Sequence, residues 1–234
     1  DSSCMFLGKL AQDVGIPEGV FNIITGDRET GAALVASPSV SMVSFTGSSL
    51  TGTKIMEASA PKLSQVALEL GGKSAMVIFA DTEIERAVEA TIKGCLTNGG
   101  QICTAHTRLI VQEDIKDDLL KKLKDALEKI PYCRDPITER ERGDRAWETG
   151  MTDVIQPVVS ASQHEKIVGF LNEAKATGIE IYTGGEVPDP ADLENSGGYF
   201  IQPTILNNVP SDSDAWQKEI FGPVLSVRTF SSEA

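Results

Sequence analysis

The sequence predicts an α/β protein whose strands form a parallel sheet. Two segments carry this prediction, residues 40–59 and 75–96, because in each a short apolar run leads through a turn into a helix. A repeated strand–turn–helix order is typical of parallel sheets with crossover helices. The length of 234 residues suits roughly one or two domains, and 41% hydrophobic with 24% charged residues is typical of a globular chain.

In the first part of the chain, apolar residues at helical spacing (Met5, Phe6 and Leu10) predict a helix, and Pro38 marks the end of the next one. Short apolar runs bounded by glycine predict strands, and Val20–Ile24 is expected to be a buried strand of this kind. In order, we expect helix 2–14, strand 20–24, helix 30–36, strand 40–45, helix 51–59 and strand 66–70.

In the remainder, apolar residues recur every three or four positions from Ile84 to Leu96, which predicts an amphipathic helix. The polar stretch from Tyr132 to about Val158 is predicted to be a long surface loop or insertion. The expected elements are strand 75–79, the helix through 84–96, strand 108–111, helices 116–129 and 162–176, and strands 180–182, 199–206 and 224–230.

The net charge of −13, from 34 acidic and 21 basic residues, argues against a nucleic-acid partner, because phosphate backbones bind basic surfaces. The longest apolar runs, such as Ala75–Ala80, are too short to span a bilayer, so no membrane partner is expected. Cys4, Cys95, Cys103 and Cys133 are scattered and form no CxxC pair. This spacing disfavours a metal site and favours reduced thiols in a reducing compartment.

The two ends of the chain suggest a fragment of a longer protein. The chain begins at Asp1 without Met, directly before an apolar-periodic run. It stops after a predicted strand with Ser232-Glu233, a pair typical of the start of a helix.

Cys103 is the first candidate for a catalytic residue. It lies in Asn98-Gly-Gly-Gln-Ile-Cys-Thr-Ala105, where neighbouring glycines let a substrate approach the backbone closely. Only a few per cent of an ordinary thiol is ionised at neutral pH, so a nucleophilic cysteine needs help from its surroundings. From composition alone, the commoner alternative is a buried cysteine that packs as a small apolar residue.

Glu69 is the second candidate. It stands in Val66-Ala-Leu-Glu-Leu70, among apolar residues, where a strand meets Gly71-Gly72. A carboxylate in an apolar setting is a candidate general base. The alternative is an outward-facing residue at a sheet edge, which the alternation of side chains along a strand permits.

Two turns are candidates for binding part of a ligand. Ser44-Phe-Thr-Gly-Ser48 leads from a strand into a helix, and such a glycine turn is able to approach a phosphate or a planar ring. Lys218-Glu-Ile-Phe-Gly-Pro223 supplies a carboxylate that is able to accept two ribose hydroxyls. The alternatives are an ordinary strand–helix turn and a charged loop before a strand.

The two histidines argue against a cysteine hydrolase, which needs a histidine base beside its cysteine. His106 is three residues from Cys103 but begins a predicted strand, and is expected to point elsewhere. His164 lies on the charged face of a predicted helix, where a solvated side chain is expected.

Five segments in this order together resemble the aldehyde dehydrogenase superfamily. Glu69 and Cys103, 34 residues apart, also fit that family, and Trp216 and the IKGC before the cysteine loop look like betaine and other aminoaldehyde dehydrogenases. The five segments are SFTGSSLTG (44–52), LELGGKS (68–74), GQICTA (100–105), YFIQPTIL (199–206) and KEIFGPVLSV (218–227).

The resemblance implies a role for each matching position. Cys103 would be the nucleophile that attacks the aldehyde, and Glu69 would be the base that activates water to hydrolyse the resulting thioester. No metal is implied. The cofactor-binding positions would be Gly47 and Ser48 near the nicotinamide and pyrophosphate, Glu219 on the nicotinamide ribose hydroxyls, Phe221 packed against that part of the cofactor, and Gln163 and Lys166 near a ribose.

The resemblance also implies the domain organisation and the reaction. Residues 1–71 would be the C-terminal part of a Rossmann-like NAD(P)-binding domain, and residues 72–234 the N-terminal part of an α/β catalytic domain, together about half of a family member. The cofactor would be NAD or NADP, and the substrate an aldehyde, with betaine aldehyde or another aminoaldehyde as the candidates, oxidised to a carboxylic acid. The full-length protein would be a homo-dimer or homo-tetramer, with a cytoplasmic location favoured and an organelle as the alternative.

Three other functions stay open. The alternatives are a non-catalytic family member with a structural or binding role, an inactive fragment, and a thioester-forming hydrolase without a cofactor. The presence of both Cys103 and Glu69 argues against the first, and Ser48 and Glu219 argue against the last. We expect Cys103 and Glu69 to face one cavity.

Overall fold

The computed structural model describes residues 2–133, 154–189, 193 and 197–232. The chain divides into two compact units, Asp1–Gly71 and Gly72–Ala234. Their assignment as cofactor-binding and catalytic parts stays a prediction. Among the described residues, no helix is both long and apolar enough to cross a membrane.

The first unit contains a pair of parallel strands flanked in the chain by helices. Thr46 and Glu69, the last residues of the two strands, lie opposite each other in the ladder. The second helix begins where the side chain of Asp27 accepts the amide of Glu29, an ordinary N-cap. The elements are α1 (Ser2–Asp13), α2 (Arg28–Ala36), β1 (Met42–Thr46), α3 (Ser49–Ser59) and β2 (Gln65–Glu69).

The prediction of a buried strand at Val20–Ile24 is wrong. The segment has no strand structure, and the side chains of Val20 and Ile24 are 71% and 62% exposed. A strand needs a neighbour for its backbone hydrogen bonds, and this unit's only described ladder joins β1 to β2. An apolar run alone was therefore insufficient to make a strand.

The second unit is built on a five-stranded sheet in the order β3-β4-β7-β6-β5. The ladders β3–β4, β4–β7 and β6–β7 are parallel, and only β5 runs antiparallel to its neighbour. The predicted α/β fold with parallel strands is thus confirmed. The elements are β3 (Ala75–Ile78), α4 (Ile84–Leu96), β4 (Arg108–Gln112), α5 (Lys116–Leu127), α6 (Ala161–Ala176), β5 (Glu180–Thr183), β6 (Thr204–Asn207), α7 (Asp214–Gln217) and β7 (Val224–Phe230).

Helices cover both faces of this sheet. One buried cluster joins β7 residues Leu225 and Val227 to α4 and α5, and another joins Val224 to α6 and α7. The first four residues of β7 are all buried, as expected for a central strand covered on both sides. This packing gives the segments that precede β3, β4 and β7 a rigid support.

The predictions for residues 199–206 and 132–158 have different outcomes. Only the last three residues of the predicted strand 199–206 belong to β6, which runs from Thr204 to Asn207. The residue before it, Pro203, has no amide hydrogen to donate to a neighbouring strand. Tyr199 makes an isolated bridge to Val158. The loop predicted from Tyr132 to about Val158 lies largely outside the described residues, which omit 134–153.

Candidate active site

Glu69 lies beside the glycine turn that follows β1. The carboxyl ends of β1 and β2 meet at one edge of their ladder, and the amide of Gly47 donates to the carbonyl oxygen of Glu69 at 3.0 Å. The side chain of Glu69 is exposed. Three of the predicted site residues, Gly47, Ser48 and Glu69, are therefore adjacent within the first unit.

Ser48 is the N-cap of α3. Its Oγ accepts the amide of Thr51 at 3.2 Å and shares a further hydrogen bond with the Thr51 hydroxyl at 3.0 Å. The N-terminus of an 11-residue helix presents unpaired amide groups and a partial positive charge. Gly47 has no room for a side chain, because a Cβ there would overlap the ring of Phe45. The turn thus leaves the N-terminal end of α3 exposed, and its binding of an anionic group stays a prediction.

Cys103 is exposed, whereas Cys95 and Cys133 are buried. The alternative of a buried, purely structural Cys103 is therefore wrong. The cysteine follows a turn at the end of α4 in which Asn98, Gly99 and Gly100 all have positive φ, of 55°, 65° and 73°. Three successive left-handed residues reverse the chain sharply after α4 and return it toward β4.

Side-chain hydrogen bonds brace this cysteine loop. The amide group of Asn98 donates to the carbonyl of Gln101 at 3.2 Å, and the amide group of Gln101 donates to the carbonyl of Asn98 at 3.1 Å. The Oε1 of Gln101 also accepts the backbone amide of Val159 at 2.9 Å. The turn before Cys103 is therefore fixed by hydrogen bonds within the loop and by a bond to Val159.

Gly72 links the cysteine loop to Glu219. A Cβ on Gly72 would lie 2.9 Å from the carbonyl oxygen of Cys103, closer than a real side chain allows. The amide of Gly72 donates to Oε1 of Glu219 at 3.3 Å. Gly100 lies against the segment that contains Glu219, since a Cβ there would overlap the carbonyl oxygen of Gly222. The structure thus brings the backbone of Cys103 and the carboxylate of Glu219 close to the same glycine.

Gln163 holds the segment that contains Phe221. Its Nε2 donates to the carbonyls of Ile220 and Phe221 at 3.0 and 2.9 Å, and Phe221 has a positive φ of 60°. A non-glycine residue in this conformation persists only where its surroundings hold it. The side-chain amide of Gln163 thus supports the loop, while its contact with a cofactor stays a prediction, as does that of the exposed Lys166 on the same helix.

The predicted meeting of Glu69 and Cys103 in one cavity also stays a prediction, because the two residues belong to different compact units. His106 behaves as expected for a residue with no role as the base: its ring packs against Gly94 of α4, and its amide donates to the Gly94 carbonyl at 2.9 Å. His164 is half-buried, and its Nε2 hydrogen-bonds the carbonyl of Phe200 at 3.1 Å, so it is less solvated than predicted.

Sequence reasoning missed Lys73. The pKa of this lysine is lowered from 10.5 to about 8, chiefly by burial; Arg108 and Lys166 also lower it, whereas Cys95 and Glu219 raise it. Burial also raises the pKa of the Cys95 thiol to about 12. The available signal was a lysine placed between glycines and an apolar strand, where a flexible charged side chain has little access to water.

Comparison with known proteins adds independent information. The family model described as "Aldehyde dehydrogenase family" matches residues 2–234. The chain is 41% identical to aminoaldehyde dehydrogenase 1, peroxisomal, of Pisum sativum and 40% identical to betaine aldehyde dehydrogenase, chloroplastic, of Beta vulgaris, in each case over 99% of this chain and 43% of the relative. It therefore spans less than half the length of these relatives.

A solved structure agrees with these sequence matches. Betaine aldehyde dehydrogenase from Staphylococcus aureus, in complex with NAD+, superposes with a TM-score of 0.86 at 34% identity, covering 98% of this chain and 43% of that one. An aldehyde dehydrogenase from Bacillus cereus superposes with a TM-score of 0.85 at 31% identity, covering 99% of this chain and 43% of that one.

Proposed function

This chain belongs to the aldehyde dehydrogenase family, and from that membership we propose that it serves the oxidation of an aldehyde to a carboxylic acid with NAD or NADP as the acceptor. The observation that carries the proposal is the exposed Cys103 on a braced turn, set against Gly72, whose amide binds the carboxylate of Glu219. The proposed nucleophile, Cys103, and the carboxylate proposed to bind hydroxyls, Glu219, thereby both lie close to Gly72 in the second unit.

Each of the two units offers groups that suit part of a dinucleotide. The N-terminus of α3, with Gly47 and the capped Ser48, offers backbone amides suited to phosphate oxygens. The carboxylate of Glu219 suits a pair of ribose hydroxyls, and Phe221 stands two residues beyond it with its carbonyl held by Gln163. In this proposal Lys166 adds a cation near a ribose. When bound, the nicotinamide supplies an acceptor for the hydride that leaves the aldehyde carbon.

The chain's own residues divide the chemistry into two stages. The Cys103 thiolate adds to the aldehyde carbonyl and forms a tetrahedral oxyanion, to which the backbone amide of Cys103 is proposed to donate. Collapse of the oxyanion releases hydride and leaves a thioester on Cys103. Glu69 then takes a proton from water, the hydroxide attacks the thioester carbonyl, and the thiolate leaves as the carboxylic acid is released.

The relatives' names guide the choice of substrate. Because the matched proteins include aminoaldehyde and betaine aldehyde dehydrogenases, we propose an aldehyde with an amino or quaternary ammonium group. We further propose a homo-oligomer and a reducing compartment, the latter because Cys4, Cys95 and Cys103 are free thiols. The location within the cell, cytoplasmic or in an organelle such as the peroxisome or chloroplast of the relatives, is testable by tagging the complete protein.

The direct test uses the product of the complete open reading frame that contains this chain. We expect NADH or NADPH formation, followed by absorbance, with betaine aldehyde or an aminoaldehyde. An uncharged aliphatic aldehyde of equal length is the matched control, and a lower kcat/KM for it would support the substrate class. Failure to reduce either cofactor with any of these aldehydes would show that the proposed function is wrong.

Glu219→Gln should weaken cofactor binding. The amide substituent keeps the size of the side chain but presents one acceptor oxygen without charge, and a hydrogen bond to a charged group is worth about 1.5–3 kcal/mol. We therefore expect the Kd for NAD+ to rise by roughly 10-fold or more, measured by calorimetry. Glu165→Gln, at an exposed site on α6, is the control and should bind NAD+ as the unmodified protein does.

A further inference from the structure

The side chain of Lys73, just before β3, places an ammonium group in the interior of the second unit. Its Nζ is shielded from solvent and has no hydrogen-bond partner among the described residues. Burying a charge without a partner is costly, and proteins usually compensate for it by pairing. A lysine in such a place needs a group of opposite charge nearby to offset this cost.

Four titratable side chains from four different elements act electrostatically on this ammonium: Cys95 on α4, Arg108 on β4, Lys166 on α6 and Glu219 before β7. Arg108 and Lys166 are cations. Burial raises the pKa of the Cys95 thiol to about 12, so this group is neutral at physiological pH. Within the described part of the chain, Glu219 is therefore the one carboxylate in this set able to balance the charge of Lys73.

The backbone brings the residue next to Lys73 into contact with Glu219. The residue before Lys73 is Gly72, whose amide donates to Oε1 of Glu219. At 3.3 Å this bond is at the long end of the range for N–H···O hydrogen bonds, so by itself it fixes the carboxylate weakly. A buried cation on the next residue of the chain adds to this hold, because electrostatic attraction is less screened away from water.

We propose that Lys73 is a positioning residue for Glu219, whose carboxylate it holds by charge in the orientation that binds the ribose hydroxyls of the cofactor. This inference rests on the cofactor-binding role proposed above for Glu219. Lys73 therefore contributes to cofactor affinity and takes no part in the bond-making steps at Cys103.

The inference predicts a pH-dependent affinity for NAD+. The pKa of Lys73 is lowered to about 8, so the ammonium loses its proton as the pH rises from 7 to 9 and Glu219 loses its buried counter-charge. We expect the Kd for NAD+, measured by calorimetry without substrate, to rise by roughly 5-fold or more over this interval, a typical coupling between two sites.

Two variants separate charge from shape. Lys73→Arg keeps a charge that does not titrate in this range, so its Kd should stay low and independent of pH. Lys73→Met keeps the length without the charge, so its Kd should be high and independent of pH. Lys122→Met removes an exposed cation from α5 and should retain the pH dependence of the unmodified protein.

Stability distinguishes this role from a merely structural one. Between pH 8 and 10.5 the unfolded chain binds more protons at Lys73 than the folded chain, so stability rises with pH in this window and the buried charge costs stability below it. Lys73→Met should therefore have a Tm at pH 7 no lower than that of the unmodified protein, while its NAD+ affinity falls. A structural role predicts a lower Tm and an unchanged affinity.

Failure of the role proposed for Glu219 and failure of the role proposed for Lys73 give different results. Glu219→Gln with unchanged NAD+ affinity would overturn both the role of Glu219 and this inference. Weaker binding in Glu219→Gln, combined with a Lys73→Met protein that binds NAD+ as the unmodified protein does from pH 7 to 9, would overturn the inference alone. Should Lys73→Met fail to fold, Lys73→Arg decides: loss of the pH dependence supports the role, and its retention overturns it.

Discussion

Replacing Cys103 by alanine in the complete protein is expected to abolish aldehyde oxidation. Alanine removes the sulfur that forms the bond to the aldehyde carbon, and without this bond the carbonyl has no electron-rich tetrahedral form from which hydride departs. Loss of a nucleophile that acts as part of a catalytic unit lowers kcat by about 10⁴-fold or more. The measurement is steady-state formation of NADH with betaine aldehyde.

The control for this variant is Cys4→Ala. Cys4 is also an exposed free thiol but lies on α1 in the first unit, so its loss should leave turnover unchanged. Binding of NAD+ to Cys103→Ala should be retained, because the backbone of the braced turn does not depend on the thiol. A Cys103→Ala protein with undiminished turnover would refute the assignment of the nucleophile.

The exposure of Cys103 was beyond the reach of sequence composition, since most free cysteines are buried. What exposes this one is the turn before it, where Asn98, Gly99 and Gly100 adopt positive φ and Gln101 is tied to Val159. The two glycines were visible in the sequence. The partner of Gln101 was not, because it lies 58 residues further along the chain.

The order of the helices and strands along the chain was largely predictable, because local sequence patterns determine it. Apolar periodicity correctly predicted α4, and short apolar runs bounded by turns correctly predicted β1, β3 and β7 to within two residues. The failure at Val20–Ile24 has a non-local cause, since a strand exists only if another strand supplies its hydrogen bonds. The same limitation applies to Lys73, whose pKa depends on burial and on charges from α4, β4, α6 and the segment before β7.

Glu69→Gln is expected to separate the two stages of the reaction. Glutamine has the shape of glutamate but does not accept a proton at neutral pH, so it leaves the attack by Cys103 intact and removes the base for thioester hydrolysis. General-base catalysis contributes about 10²- to 10⁴-fold, and steady-state turnover should fall by that amount. A rapid burst of NADH, close to one per active site, should survive.

The position of Glu69 explains why the substitution should be structurally mild. Its side chain is exposed at the end of β2, and the bond that holds it to the turn after β1 runs from the Gly47 amide to its backbone carbonyl, which the variant keeps. Glu57→Gln, an exposed change on α3, is the matched control and should retain full turnover. Rapid-quench mass spectrometry should detect the acyl group on Cys103 in the Glu69→Gln protein alone. If that protein shows neither a slowed steady state nor an accumulated thioester, Glu69 is an outward-facing strand residue and the base must be sought elsewhere in the complete protein.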